Sequence, residues 1–281
     1  MKRRGRRITA RILKFFAGAV LVFGAMFPGY WLLAVSVRPM DEMKGTVSLV
    51  PESLTLEHFT ALFTQKDFSR ALVNSLQVSL VSLGFSLAFG ICAAYVLTRN
   101  RFRFRAKKPF NFWILLVRIL PPVAFTIPLY TMFNRLGILN TKIPATLSCI
   151  LINIPFIVWF MISFFQRLPE DIEKSARIDG ATEWQLFTKI VLPLAAPGIA
   201  AVTMLSFLYA WNEYTYSIIF VQSPKNYTIP LTLATLNSDD SLTNFGLVAA
   251  GGIMSVLPVL AFIVFAQNYL IAGLSGGAVK E

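Results

Sequence analysis

The sequence predicts an all-α membrane protein with six transmembrane helices. Of its 281 residues, 56% are hydrophobic and only 14% are charged, which is too apolar for an ordinary soluble domain. The mean hydropathy is +0.63, and runs of about 20 mostly uncharged residues recur along the chain. Each run is long enough to cross the hydrocarbon core of a bilayer, so the chain is predicted to span the membrane several times.

The six apolar runs divide the chain. They cover about residues 15–37, 71–97, 110–133, 144–165, 199–221 and 245–271. The first could be a cleaved signal peptide, because Ala34-Val35-Ser36 resembles a cleavage site. Its apolar part is longer than a signal peptide's and further spans follow, so we predict an uncleaved helix. The resulting organisation is a basic N-terminus (1–14), a first span (15–37), an outer segment (38–69), a core domain (70–272) and a tail (273–281).

The distribution of lysine and arginine orients the chain. With the N-terminus inside, the inner segments contain 18 of these residues and the outer segments 7. Positive residues accumulate on the cytoplasmic side of membrane proteins, so both termini are predicted to be cytosolic.

The net charge of +12 does not predict a nucleic-acid partner. The most basic internal segment, residues 99–108, alternates Arg and Phe and could resemble an RNA-binding arm. Because it directly follows a span, we interpret it as a cytosolic anchor that is attracted to anionic membrane lipid.

Sequence signatures of catalysis are absent. The chain has no G-x-x-x-x-G-K-[ST] loop and no H-E-x-x-H motif. Its only histidine, His58, lies in the outer segment, within a possible short amphipathic helix at residues 56–63, and is predicted to be solvated. Cys92 and Cys149 both lie in predicted spans and are expected to be packing residues. We therefore predict no catalytic residue, no metal site and no cofactor on this chain.

Residues 168–198 are the longest charged interruption of the apolar pattern, and the charge distribution places them in the cytosol. Acids in a first turn favour a helix start, and Gly180 favours a helix stop because glycine readily adopts left-handed backbone angles. The segment Thr182–Gln185 has the spacing of a capping box for a second helix. Two prolines are expected to end that helix, Pro193 and Pro197. The stretch is predicted to be a bent pair of short helices, a shape suited to docking on a soluble partner.

The spacing in this stretch resembles the EAA loop of ABC importer permeases, which reads E-A-A, three residues, Gly, nine residues and I-x-L-P. The matching positions are Lys174-Ser175-Ala176, Gly180 and Ile190-Val191-Leu192-Pro193. The segment Arg177-Ile178-Asp179-Gly180-Ala181 is similar to the carbohydrate-uptake, maltose-type branch. Two positions depart from the pattern: Lys174 stands where an acid is usual, and Ser175 replaces alanine. An acid is found one place earlier, at Glu173.

The resemblance extends over nearly all of the chain. Further similar segments are Asn74-Ser75, Leu120-Pro121-Pro122, Ile127-Pro128-Leu129-Tyr130, Trp211-Asn212-Glu213 and the tail Gly276–Lys280. It implies the fold of a type I ABC importer permease with short coupling helices between spans four and five. It also implies a multi-pass permease subunit of the bacterial cytoplasmic (inner) membrane. Such a subunit imports an oligosaccharide, a disaccharide or a polyol and has no ATPase site of its own.

The partners implied by the resemblance are a second homologous permease, two copies of an ABC ATPase, an external solute-binding protein and membrane lipid. ATP and Mg²⁺ would bind to the ATPase subunits. The implied ATPase-coupling residues are Glu173, Lys174, Ser175, Ala176, Arg177, Asp179, Gly180, Ala181, Ile190, Leu192 and Pro193. The tail residues Gly276, Gly277 and Lys280 either contact the ATPase, as in the resembled family, or form a solvated terminus.

Four polar residues within the spans are candidates for the translocation path: Arg118, Asn153, Asn212 and Glu213. Arg118 either reaches toward the interface, pairs with a neighbouring helix or contacts a polar substrate. Glu213 either holds spans together by hydrogen bonds or lines the path.

Two alternatives remain open at this level. The outer loop at residues 222–243 resembles the segment that reaches toward the binding protein in maltose-type permeases, and its length and polarity permit that role. The rival to the whole interpretation is a free-standing secondary transporter or channel. Such a protein would need acids for a coupling ion, or an internal repeat, and Glu213 is the only candidate acid within the spans.

Overall fold

The computed structural model describes residues 2–43, 48–99, 101–102, 107–237 and 244–277. The regular structure in these ranges is helical. The α-helices are α1 (Lys2–Ser36), α2 (Met40–Met43), α3 (Glu57–Gln65), α4 (Phe68–Thr98), α5 (Lys107–Ile119), α6 (Thr126–Arg135), α7 (Ile143–Phe165), α8 (Glu170–Ile178), α9 (Glu183–Leu186), α10 (Leu192–Leu194), α11 (Ala196–Trp211), α12 (Thr215–Phe220), α13 (Ile229–Asn237) and α14 (Asn244–Gly277). Short 3₁₀ turns occur at Pro122–Phe125 and Pro224–Asn226, and Phe187–Val191 is a π-helix.

With each bent pair counted as one span, the helices include six membrane spans, as predicted. Four are single long apolar helices: Arg11–Ser36, Phe68–Thr98, Ile143–Phe165 and Phe245–Phe265. The other two are bent pairs. Span three turns by 105° between Pro109–Ile119 and Pro122–Arg135. The second bend, of 75°, lies between Glu183–Leu194, in the stretch predicted to be cytosolic, and Ala196–Phe220, which contains the predicted span five.

Proline explains the bend in span three. Pro121 is extended, with ψ of 137°, and Pro122 begins the 3₁₀ turn that follows it. Neither residue has a backbone N–H to continue the helical ladder, and proline also disfavours helical angles at the residue before it. Pro121 and Pro122 therefore break this span, whereas Pro155 and Pro258 lie inside continuous helices.

The chain forms two compact units, residues 1–68 with 233–256 and residues 69–232 with 257–281. In the first unit, α3 confirms the short amphipathic helix. The prediction for its histidine was wrong: His58 is only 2% exposed, and its Nε2 lies 2.9 Å from the Arg38 carbonyl oxygen. The ring packs so closely against Gly246 that a Cβ at position 246 would clash with it. His58 is therefore a packed core residue of this unit.

The core of the second unit joins span two, span four and the helices of residues 168–198. Its completely buried members include Ala94, Met161, Phe165, Leu186 and Ala195. Glycine allows the close approach of α4 to α7, since a Cβ at Gly90 would lie 2.7 Å from Ile157 Cγ2. Small residues commonly permit such tight packing of helices in membrane proteins.

The two cysteines are free. Cys149 is buried with Val78, Ala145 and Ala210, which confirms its role as a packing residue. Cys92 is instead exposed on α4.

Candidate functional site: a helix pair fastened to the end of span two

Helix α8 has the expected start. Pro169 is extended at the N-cap, and three acids occupy the first turn, Glu170, Asp171 and Glu173. Their charges lie at the positive end of the helix dipole, which stabilises this end of the helix.

The glycine bend that follows α8 is confirmed. Gly180 has φ of +86°, in the left-handed region. Its N–H donates to the Arg177 carbonyl at 3.0 Å, and the Ala181 N–H donates to the Ala176 carbonyl at 3.0 Å. These two bonds form the Schellman motif, in which a left-handed residue turns the chain away from a finished helix.

The capping box of the second helix is also confirmed. The Thr182 hydroxyl accepts from the Gln185 N–H at 3.2 Å, and the Gln185 side chain accepts from the Thr182 N–H at 2.9 Å. The predicted end of this helix needs a correction, because the helical path continues past Pro193 to Leu194. Pro193 is tolerated there because it lies in the first turn of α10, and the chain turns at Ala195.

Glu173 faces inward and is only 4% exposed. Its Oε1 lies 2.6 Å from Arg99 Nη2, and its Oε2 lies 3.0 Å from Arg101 Nη1. Oε2 also accepts from the Tyr95 hydroxyl at 3.1 Å and lies 3.3 Å from Arg177 Nη2. We call these five residues the Glu173 cluster. They connect α8 to the cytosolic end of α4.

Lys174 points away from the Glu173 cluster, toward solvent. Its side chain is 62% exposed, and its Nζ lies 2.8 Å from Asp171 Oδ1. The hydrogen bond and charge of Asp171 raise the pKa of Lys174, so the lysine is positively charged at neutral pH. At the position where the resembled family has an acid, this chain therefore presents a cation to solvent.

The outer surface of the helix pair is partly apolar. Ile178 is 86% exposed and Trp184 is 71% exposed, although both are large hydrophobic residues. Among the other predicted coupling residues, Ser175, Asp179, Gly180 and Pro193 are exposed, Arg177, Ala181, Ile190 and Leu192 are half-buried, and Ala176 is buried. The predicted set therefore divides into an inward and an outward face.

Sequence reasoning missed three members of the inward face, Tyr95, Arg99 and Arg101. The signal was the basic segment 99–108, which we interpreted as a lipid anchor. Arg99 is 3% exposed and paired with Glu173, so that interpretation is wrong for this residue. The imbalance of six positive charges and no acid in this segment, opposite an acid-rich helix start on the same side of the membrane, could have indicated the pairing.

Arg118 and Asn153 line one cavity of about 410 Å³, together with Phe156 and Tyr209 among others. The Arg118 guanidinium lies 4.8 Å from the centre of the Phe156 ring and 4.3 Å from that of Trp159. Both rings belong to α7, so Arg118 pairs with a neighbouring helix through cation–π contacts. Asn153 is buried, and its Nδ2 donates to the Ser206 carbonyl of α11 at 3.3 Å.

Asn212 and Glu213 lie at the break between α11 and α12. Glu213 is buried and accepts from the N–H groups of Tyr216 at 2.5 Å and Ser217 at 3.2 Å. These partners lie in its own span, so the carboxylate caps α12. Among the described residues, the hydrogen bonds of Glu213 therefore do not hold two spans together, which was one of its two predicted roles. Asn212 is exposed, and its Nδ2 donates to the Leu208 carbonyl at 2.9 Å.

The outer loop after α12 is fixed at its beginning. Asn140 has φ of +58°, and its Oδ1 accepts from the N–H groups of Gln222 and Ser223 at 3.0 and 2.7 Å. Asn74 Nδ2 donates to the carbonyls of Lys225 and Tyr227 at 3.0 and 2.9 Å. These bonds tie residues 222–227 to the spans. The rest of the predicted outer loop continues through α13, and its last part, residues 238–243, lies outside the described residues.

In the tail, Gly276 and Gly277 are the last residues of α14. Lys280 lies outside the described residues.

Comparison with known proteins decides the family. Residues 86–274 match the family described as the binding-protein-dependent transport system inner membrane component. This chain belongs to that family. Its relatives include the arabinooligosaccharides transport system permease protein AraQ of Halalkalibacterium halodurans, at 34% identity over 93% of this chain and 94% of the relative. The trehalose transport system permease protein SugB of Mycobacterium tuberculosis is 30% identical over 92% of this chain and 94% of the relative.

A solved structure confirms the fold of the permease. A chain of a bacterial ABC transporter involved in the import of the acidic polysaccharide alginate superposes with a TM-score of 0.77 at 22% identity. The match covers 95% of the permease and 98% of that chain. The permease is thus a multi-pass membrane transport protein with the type I ABC importer fold.

Proposed function

We propose that the permease is one of two membrane subunits of a binding-protein-dependent ABC importer for a carbohydrate, and that residues 168–198 are its coupling loop. The observation that carries this proposal is the two-faced helix pair. Its inward face is fastened to the ends of the spans, and Lys174, Ile178 and Trp184 are exposed on its outward face. Such a pair can receive a push from a soluble partner and pass it to the membrane domain.

The partner that fits this face is an ABC ATPase subunit, which would bind ATP and Mg²⁺ and hydrolyse ATP. Closure of two such subunits would move the coupling loops of two permeases and rock the spans between inward-facing and outward-facing arrangements. A solute-binding protein would deliver the substrate from outside. The relatives named for trehalose and arabinooligosaccharide transport support a carbohydrate as that substrate.

The cavity beside Arg118 is the best candidate for a part of the path. It combines an arginine and a buried asparagine with the aromatic residues Phe156 and Tyr209. Hydroxyl groups of a sugar could bond to the polar pair, and its apolar faces could pack on the rings. Glu213 and Asn212 have their hydrogen bonds within their own span, so we assign them to the structure of the span five break.

Co-purification tests the proposal. The permease carrying an affinity tag is extracted from its native membrane in mild detergent, and the proteins retained with it are identified. We expect an ABC ATPase and a second permease in stable proportion. Purification of the permease alone with intact transport activity would show a free-standing carrier and contradict the proposal.

The substrate class is tested on the binding protein encoded for the same complex. Its thermal unfolding midpoint would be measured with a panel of neutral, acidic and polyol sugars. A bound ligand raises the midpoint by mass action, and we expect one oligosaccharide, disaccharide or polyol to do so.

A further inference from the structure

We propose that the Glu173 cluster is a rigid joint that makes the coupling loop and the cytosolic end of α4 move as one body. The proposal rests on the function proposed above and goes beyond it, because it names the residues through which displacement of the loop reaches the spans. Glu173 acts here as a positioning residue, and Lys174, beside it, belongs to the outward face.

The geometry of the carboxylate supports the proposal. Both of its oxygens are engaged, Oε1 with Arg99 at 2.6 Å and Oε2 with Arg101 at 3.0 Å. Oε2 also accepts from Tyr95, which lies on α4, 78 residues away in sequence. One side chain on α8 is therefore held by groups from the last turn of span two and from the segment that follows it.

Burial makes this connection stiff. Arg99 and Glu173 are 3% and 4% exposed, so water and salt screen their attraction weakly. Separating them would leave a buried charge without compensation, which is strongly unfavourable. The neighbouring pair of Lys174 and Asp171 is largely exposed, and an exposed pair of this kind contributes little. The buried pair of Glu173 and Arg99 can therefore transmit a displacement of α8 to span two, whereas the exposed pair of Lys174 and Asp171 adds little stiffness.

The cluster also reaches the other two elements that meet at this point. Arg99 Nη1 donates to the Phe165 carbonyl at the end of α7 at 3.0 Å. Arg101 Nη2 lies 2.6 Å from Glu183 Oε2, in the first turn of the second coupling helix. A push on either helix of the loop is therefore shared by the cytosolic ends of span two and span four.

The test measures a distance across the joint. Spin labels are placed on native Cys92 of α4 and on a cysteine introduced on α8 by Ile172→Cys, and both sites are exposed. The substitution Cys149→Ala removes the buried thiol. The assembled complex is studied in lipid by double electron–electron resonance, first without nucleotide and then with Mg²⁺, ATP and vanadate. With the cluster intact, we expect one narrow distance distribution that is the same in both states.

Three variants decide the outcome. Glu173→Gln should broaden the distribution and make its mean depend on nucleotide. Arg101→Gln should do the same to a smaller extent, because Arg99 and Arg177 still hold the carboxylate. Asp171→Asn, which removes an exposed carboxylate from the same helix, should leave the distribution as in the parent.

If the distance distributions of both Glu173→Gln and Arg101→Gln are narrow and independent of nucleotide, the proposal of a rigid joint is wrong. If Glu173→Gln does not assemble, the milder Arg101→Gln variant decides alone. The measurement without nucleotide reports on the joint whether or not an ATPase is bound, whereas a complex without an ATPase would contradict the proposed function. The two failures are therefore distinguishable.

Discussion

At the scale of single residues, neighbouring positions of α8 have opposite roles. Glu173 is buried among arginines, and Lys174 is exposed and pairs with Asp171. Consecutive residues of a helix point about 100° apart, so a change at one position does not transfer to the next. The buried acid Glu173 therefore cannot take the place of the exposed acid that the resembled family has at the next position. At that position this chain has a lysine and so the opposite charge.

Reversal of that charge should weaken docking. Lys174→Glu would replace the cation that lies 2.8 Å from Asp171 Oδ1 with an acid and so reverse the charge at this exposed position. An exposed charge pair contributes about 0.2–1 kcal/mol, so affinity for the ATPase should fall about 1.4- to 5-fold. The measurement is binding of the ATPase to the reconstituted permease at low and high salt, with Lys174→Gln as the neutral control. Equal affinity of the parent and Lys174→Glu at low salt would show that this side chain lies outside the docking face.

Gly180 is required by its backbone angle. Its φ is +86° and no other group lies within 4 Å of a Cβ built on it, so a side chain there is strained but not blocked. Gly180→Val should cost roughly 1–2 kcal/mol of loop stability and uncouple ATP hydrolysis from uptake. Uptake and ATP hydrolysis are measured on the same proteoliposomes.

Gly137 provides a matched control for that variant. It has φ of +66° and equally open surroundings, but it lies on the outer side between spans three and four. Gly137→Val introduces similar backbone strain without touching the coupling loop, so coupling should be retained. If Gly180→Val keeps wild-type coupling of ATP hydrolysis to uptake, or if both variants lose coupling equally, Gly180 has no specific role in coupling.

At the scale of elements, the spans are broken where the backbone loses donors or turns. Span three bends at Pro121 and Pro122, and the chain turns from the second coupling helix into span five at Ala195, between two prolines. Residues released from helical bonding are satisfied locally, as Glu213 does for the first N–H groups of α12. The breaks are therefore built parts of the spans, as expected for irregular backbone inside a membrane protein.

The hydrogen bonds of Asn140 to Gln222 and Ser223, which we call the outer clamp, should stabilise the start of the outer loop without affecting the coupling loop. Asn140→Gly keeps the positive φ accessible but removes three side-chain hydrogen bonds to Gln222 and Ser223. Each contributes about 0.5–1.5 kcal/mol, so backbone amides of residues 222–227 should exchange at least roughly 10-fold faster. Hydrogen exchange followed by mass spectrometry measures this, with the exposed Asn134→Ala as control. Unchanged exchange in this loop would contradict the clamp.

At the scale of the whole molecule, the second unit depends on close packing of its spans. Gly90→Ala places a methyl group 2.7 Å from Ile157 Cγ2, and such overpacking costs about 1–3 kcal/mol. Gly84 lies on the same helix with open space around it, so Gly84→Ala should be tolerated. Thermal unfolding of the purified permease in detergent distinguishes the two. A midpoint for Gly90→Ala equal to that of the parent would mean that the spans pack less tightly than observed.

The prediction of the spans succeeded because lipid imposes a one-dimensional rule. A segment of about 20 apolar residues must satisfy its backbone internally, and that requirement can be recognised without knowing its neighbours. The local signals of the coupling loop are similar in kind. Gly180 and the Thr182–Gln185 box act within a few residues, so their roles could be predicted and were confirmed.

The failures have the opposite character. His58 was predicted to be solvated because its segment is polar, but Gly246 and the Arg38 carbonyl, both distant in sequence, enclose it. Arg99 was assigned to lipid because its partner Glu173 lies 74 residues away and is separated from it by two spans. Long-range contacts of this kind leave no periodic trace in a single sequence.

The amino-acid sequence by itself determined the number of spans, their orientation and the bent shape of residues 168–198, because hydrophobicity, charge counts and caps act locally. Only the tertiary structure decided which face of α8 is buried. That choice depends on three arginines and a tyrosine that converge on Glu173 when the spans pack. A buried carboxylate is stable only where such partners meet, and their meeting is a property of the packed chain.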